Sequence, residues 1–92
     1  MRGVLSSARL LRKAALVYAE DIGDGVNNVF TLTPTNIDTS QCVVEVSENN
    51  NNFIVAPKIE KDHDGAKDKV RITFAAADIP AANQYKVIVV GL

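Results

Sequence analysis

The five residues Val70-Arg71-Ile72-Thr73-Phe74 show the clearest alternation of apolar and polar side chains in this 92-residue chain. Successive side chains of a β-strand point to opposite faces, so the pattern predicts a strand that buries its first, third and fifth residues. A second stretch, Tyr85 to Val90, is apolar on both faces except at Lys86. That pattern predicts a strand in the middle of a sheet, or one covered by another subunit.

Shorter apolar stretches, separated by turn residues, predict the remaining strands. They are Leu16–Ala19, which could start at Ala14, then Val29–Thr33, Cys42–Ser47 and Phe53–Ala56, which Ile59 and Glu60 could extend. The four asparagines Asn49–Asn52 predict a hairpin loop between the last two of these, because Asn tolerates left-handed backbone conformations. Residues 20–25 and Asp62–Gly65 predict turns, and residues 75–83 predict a connection with one helical turn near Ala81.

The composition agrees with an all-β domain. The chain has 12 Val and 7 Ile against 6 Leu, and β-branched residues suit pleated strands. Its length corresponds to one domain. We therefore predict a small β-sandwich or barrel of six to seven short strands over residues 14–92.

Charge divides the chain between residues 13 and 14. Residues 1–13 carry four basic groups and no acid, whereas residues 14–92 carry 6 basic and 11 acidic residues. We predict a basic N-terminal arm at residues 1–13 in front of an acidic body. Because the body is acidic and lacks interleaved basic and aromatic residues, we do not expect nucleic-acid binding. No apolar run reaches 18 residues, so we expect no membrane span.

The arm also has a helical pattern. Val4, Ala8, Leu11 and Ala15 recur at the spacing of one helix face, which is typical of an amphipathic helix. An extended arm that orders only on a partner is the alternative. We expect the arm to bind a partner through apolar and basic side chains. These are Arg2, Val4, Leu5, Arg9, Leu10, Leu11, Arg12 and Lys13.

No residue set predicts catalysis or a cofactor. The only cysteine, Cys42, lies beside an apolar run and is interpreted as a small buried hydrophobe. The aspartates around Gly65 have part of a calcium-loop pattern, but counting from Asp62 the glycine is fourth rather than sixth and Thr73 stands where Glu is needed. We therefore expect a solvated turn there and no metal site.

Several pieces of the body follow one another in a recognisable order. They are Gly23-Asp24-Gly25, Phe30-Thr31-Leu32-Thr33, Val43-Val44-Glu45-Val46, Ile72-Thr73-Phe74, Pro80 and Tyr85-Lys86-Val87-Ile88-Val89-Val90-Gly91. In this order they resemble a β-sandwich module of tailed bacteriophages, found in capsid decoration proteins and in tail-fibre or tail-tip chains. That module often has His-Asn-Leu after its second strand, where this chain has Pro34-Thr35-Asn36-Ile37.

The resemblance implies a non-enzymatic structural protein of the virion. A start at Met1 and a length of 92 residues favour a capsid decoration (cement) protein, made in the host cytoplasm, that binds and stabilises the shell of major capsid protein. The alternative is a tail, fibre or connector component with a host-surface or carbohydrate-binding module. An Arg-rich, acid-free N-terminus is also typical of a mitochondrial transit peptide, which makes a mitochondrial protein a lesser alternative. Because the last strand is apolar on both faces, we expect a homo-oligomer, with a trimer favoured.

Overall fold

The computed structural model describes residues 16–50 and 55–91, and within them the chain forms two antiparallel sheets. The strands are β1 (Leu16–Ile22), β2 (Val29–Leu32), β3 (Cys42–Glu48), β4 (Lys58–Glu60), β5 (Val70–Thr73) and β6 (Tyr85–Gly91). A short 3-10 helix at Thr39–Gln41 precedes β3. The prediction of an all-β fold of the small β-sandwich kind is confirmed. In the described part of the chain, no helix is long and apolar enough to cross a lipid bilayer.

The first sheet has the strand order β1-β6-β3, and the second has the order β2-β5-β4. Tyr85 to Val90 therefore lies in a central strand, as its apolar sequence predicted. All seven residues of β6 have a partner in β1 and a partner in β3. The two strands with the clearest sequence patterns, β5 and β6, are the central strands of the two sheets.

The core lies between the sheets. Ten hydrophobic residues are buried in it: Ile22, Leu32, Ile37, Cys42, Val70, Ile72, Phe74, Tyr85, Val87 and Val89. The Phe74 ring, just after β5, lies 4.7 Å from the Tyr85 ring of β6 and 6.3 Å from the Phe30 ring of β2, measured between centroids. Full burial of such side chains contributes about 1.5–3 kcal/mol each, so this aromatic contact is a main link between the two sheets.

The strand predicted at Phe53–Ala56 is wrong at its two described residues, Val55 and Ala56, whereas the extension predicted at Ile59 and Glu60 lies in β4. Val55 and Ala56 lie outside any strand, and β4 begins only after Pro57, which has no backbone N–H to donate to a sheet. The hairpin partner of β4 is β5, with Ile59 opposite Ile72. Residues 51–54 lie outside the described part of the chain.

The first strand is longer than predicted. Glu20, Asp21 and Ile22 were expected in a turn, but they continue β1 opposite the first three residues of β6. The reason is tertiary, because the side chain of Ile22 is 3% exposed and belongs to the core. Near Ala81 the backbone forms one turn closed by a hydrogen bond from the Gln84 N–H to the Ala81 carbonyl, 3.1 Å. The predicted arm and its boundary at residue 14 lie outside the described residues.

Gly23 allows the β1–β2 connection to contact the β5–β6 connection. Its φ is +124°, and a Cβ at this position would lie 2.0 Å from the carbonyl oxygen of Ala81. The Gly23 carbonyl accepts a hydrogen bond from the Asn83 N–H, 3.1 Å, and the Gly25 N–H donates to the Pro80 carbonyl, 2.8 Å. The two loops are thus held at the distance that only a glycine permits.

Replacement of Gly23 by alanine is expected to lower the free energy of unfolding by about 2 kcal/mol or more, because it adds both a clash and a strained φ. Gly25→Ala is the matched control, since Gly25 also has a positive φ but open space around its Cα. Urea unfolding of both variants measures the difference. Equal losses of stability would show that the loop contact at Gly23 does not constrain the fold.

Candidate interaction surface

The outer face of the first sheet carries a cluster of apolar side chains. Alternation along the strands places five of them together, and we call this set the valine face: Val17, Ala19, Val43, Ile88 and Val90. Val17, Val90 and Val43 form one row across all three strands, and Ala19 and Ile88 form the next row. Exposed apolar side chains are unremarkable singly, but a contiguous set on a sheet is typical of an interaction surface.

The side chains of the valine face are more exposed than those on the inner face of the same sheet. Val17 is 64% exposed and Val43 51% exposed, whereas Val87 and Val89, on the inner face of β6, are fully buried. Ile88 and Val90 are half-buried because β1 and β3 flank them on both sides. Among the described residues, nothing covers the outer edge positions of this row.

Charged residues border the valine face at one end. Glu45 lies in the same row as Ile88, and Asp21 and Lys86 lie opposite each other in the following row. Lys86 Nζ is 3.6 Å from Asp21 Oδ1. The outer face therefore has an apolar end near the start of β1 and a charged end with net charge −1.

The outer face of the second sheet is more polar. Arg71 Nε and Nη2 donate to the two carboxylate oxygens of Glu60, each at 3.0 Å. This bidentate pair lowers the pKa of Glu60, chiefly through the hydrogen bonds from Arg71. Val29, at 44% exposed, is the large hydrophobic residue of this face. The two outer faces thus differ, and the apolar one belongs to the sheet that contains β6.

The aspartates around Gly65 organise the β4–β5 connection. Asp62 Oδ1 accepts the Lys67 N–H at 2.7 Å, and Asp64 Oδ1 accepts the Ala66 N–H at 3.0 Å. Lys69 Nζ lies 3.0 Å from Asp64. The predicted turn is confirmed at Asp62–Gly65, and its carboxylates hold backbone groups. No group of three His, Cys, Asp or Glu within residues 16–50 and 55–91 could hold a metal ion.

The thiol of Cys42 is buried, which confirms its interpretation as a small hydrophobe. The residue is 1% exposed, and its Sγ lies 3.5 Å from the carbonyl oxygen of Thr39. Burial raises the pKa of the Cys42 thiol. The thiolate, which is the nucleophilic form, is therefore disfavoured at neutral pH.

None of the residues predicted to bind a partner lies in the described part of the chain. Those residues are Arg2, Val4, Leu5, Arg9, Leu10, Leu11, Arg12 and Lys13. The valine face was not predicted as a site, although the apolar outer positions of β6 were noticed. Val17 and Val43 come from other segments, and only the strand register shows that they flank Val90.

Comparison of the chain with protein-family models, with curated proteins and with solved structures finds no match in any of the three. The resemblance to a phage β-sandwich module therefore stays a prediction from the sequence.

Hydrogen bonds to the carboxylate lower the pKa of three aspartates in the connections between strands, Asp24, Asp38 and Asp64. The Asn27 and Val26 amides lower the pKa of Asp24, Ser40 lowers that of Asp38, and the Ala66 amide followed by Lys69 lowers that of Asp64. A carboxyl whose folded pKa is lowered stabilises the fold above its unfolded pKa and loses that contribution as pH falls through the folded pKa.

Together with Glu60, these groups predict that stability falls in acid. Their usual values are 3.8 for Asp and 4.5 for Glu. The midpoint of urea unfolding is expected to be constant near neutral pH and to decrease as the pH falls from about 5 towards about 2. The Glu60→Gln variant should show a smaller decrease over the same range. An unfolding midpoint that does not change with pH in this range would contradict the lowered pKa values.

Proposed function

We propose that this protein is a non-enzymatic structural protein of a tailed-phage virion, a capsid decoration protein that binds and stabilises the shell of major capsid protein. The sequence resemblance supports the class of protein. The observation that carries the docking function is the valine face, an apolar surface on a sheet whose other face is already filled by the core. On this proposal the protein is made in the host cytoplasm and acts on the capsid surface.

The valine face suits contact with another protein because it is apolar and built on paired strands. Its centre is β6, which is hydrogen-bonded on both sides, so the side chains stand on rigid backbone. Apolar area removed from water contributes about 25 cal/mol per Å². Exposed ion pairs contribute only about 0.2–1 kcal/mol each. The apolar row therefore supplies the affinity, and Glu45, Asp21 and Lys86 set the orientation.

The N-terminal arm supplies the second contact. It carries charge +4 beside a body of charge −5, and its leucines would lie in water if nothing bound them. We propose that the leucines enter a groove of the shell and that the basic groups meet acidic residues around it. In this arrangement several copies, favoured as a trimer, hold neighbouring shell subunits together.

The arm is tested by incorporation of variants into particles. Leu11→Asp is expected to abolish binding to capsids that lack the protein, because the loss of a buried leucine dominates the affinity. Arg9→Ala should weaken binding modestly, and the defect should shrink as the salt concentration rises, because salt screens the contribution of a rim charge. Co-sedimentation with purified capsids measures both effects. If the double variant Leu10→Asp with Leu11→Asp bound capsids normally, the arm would not be an anchor.

The valine face is tested by a pair of matched valines. Val43→Asp places a charge in the apolar row and is expected to reduce capsid binding at least about tenfold, the effect of losing roughly 1.4 kcal/mol. Val29→Asp is the control, since Val29 is similarly exposed on the outer face of the other sheet. Circular dichroism of both variants checks that the fold is kept. Equal binding by the two variants would separate the valine face from the function, and binding to isolated tails instead of capsids would favour a tail component.

A further inference from the structure

We propose that residues 61–67, in the connection between β4 and β5, open and close locally in the native protein while both sheets stay folded. We call these residues the strap. The open state exposes the start of β3 and the 3-10 helix that precedes it. This inference goes beyond the proposed function, since it concerns a motion of the protein and holds whatever partner the protein binds.

The strap is fastened at each of its ends to the segment that leads into β3. At the first end, Lys61 Nζ donates a hydrogen bond to the Cys42 carbonyl oxygen at 2.9 Å. At the other end, the Thr39 N–H donates to the Lys67 carbonyl oxygen at 3.2 Å. Thr39 is fully buried and Cys42 is 1% exposed. The strap therefore lies against a buried segment and is tied to it by polar contacts.

Other hydrogen bonds lie within the strap and hold its shape. The Asp62 side chain accepts the Lys67 N–H at 2.7 Å, and its carbonyl accepts the Gly65 N–H at 3.2 Å. The Asp64 side chain accepts the Ala66 N–H at 3.0 Å. None of these bonds has to break when the strap leaves the start of β3. The strap can therefore move as one body, hinged at its junctions with β4 and β5.

The sandwich is held together without the strap. No residue of the strap belongs to the buried hydrophobic core. β3 is paired with β6 along its whole length, and β5 is paired with β2. Segments with few buried apolar contacts open at a lower free energy than the whole fold. Opening of the strap therefore breaks its two fastening hydrogen bonds and leaves the sheets paired.

Two buried polar atoms favour the open state. In residues 16–50 and 55–91, the buried side-chain N and O atoms without a hydrogen-bond partner are Thr39 Oγ1 and His63 Nε2. Thr39 is in the segment to which the strap is fastened, and His63 belongs to the strap itself. An unpaired buried polar group costs free energy, which is recovered when water reaches the group. Hydration of both atoms on opening offsets part of the cost of breaking the fastening bonds.

The thiol of Cys42 reports the opening, because this residue is buried in the closed state and is the only cysteine of the chain. The full-length protein is incubated with iodoacetamide at urea concentrations below the unfolding transition. We expect Cys42 to be alkylated faster than global unfolding allows. The rate should also depend less steeply on urea than global unfolding does, because local opening exposes little surface. Alkylation that follows global unfolding in both respects would overturn the proposal.

Two lysines provide matched variants. Lys61→Met removes the hydrogen bond to the Cys42 carbonyl and is expected to increase the alkylation rate several-fold. Lys58→Met is the control, since Lys58 lies in β4 and its described ion pair is with Glu60 of the same strand. Urea unfolding of both variants corrects the rates for any change in global stability. Equal corrected rates would show that Lys61 does not fasten the strap, and the proposal would fail.

The Thr39→Val variant tests the contribution of the buried hydroxyl. Valine has nearly the shape of threonine but no polar atom to hydrate, so the closed state loses a cost that the open state does not have. We expect alkylation of Cys42 to become several-fold slower after the same correction for global stability. An unchanged or faster rate would show that unpaired polar atoms do not favour the opening of the strap.

Discussion

The two-sided pairing of β6 is the constraint on which the rest of the structure depends. β1 and β3 make no sheet contact with each other, so each is held in its sheet by β6 alone. β6 also supplies Tyr85, Val87 and Val89 to the core, where Tyr85 meets the Phe74 ring of the other sheet. One seven-residue strand thus carries the hydrogen bonding of the first sheet and much of its contact with the second.

The valine face follows from the same constraint. A strand in the centre of a sheet has two faces, and in β6 both faces carry aliphatic side chains. The inner face is filled by β5 and Phe74, so the outer face is left with Ile88 and Val90 and gathers Val17 and Val43 from the neighbouring strands. The outer face of the opposite sheet is more polar, because the outer side of β5 carries Arg71, which pairs with Glu60. The asymmetry between the two outer faces therefore gives this small domain one apolar side.

The body has one apolar side, and the sequence predicts a basic, leucine-containing arm in front of it. In the proposed function both bind a larger partner. The loop contacts at Gly23 and the carboxylate-held turns fix the ends of the sandwich.

The sequence by itself determined the all-β class, the positions of β5 and β6, the turn at Asp62–Gly65 and the buried state of Cys42, because alternation, turn residues and apolar flanks act over a few neighbouring positions. It failed at the start and the pairing of β4 and at the length of β1. Only long-range partners decided these: Ile72 opposite Ile59, and Tyr85 opposite Ile22. The candidate interaction residues also include some that local sequence predicts and some that only the tertiary structure brings together. Local pattern and charge predict the arm, which lies outside the described residues. The valine face exists only because strand register brings Val17, Val90 and Val43, which are far apart in sequence, into one row.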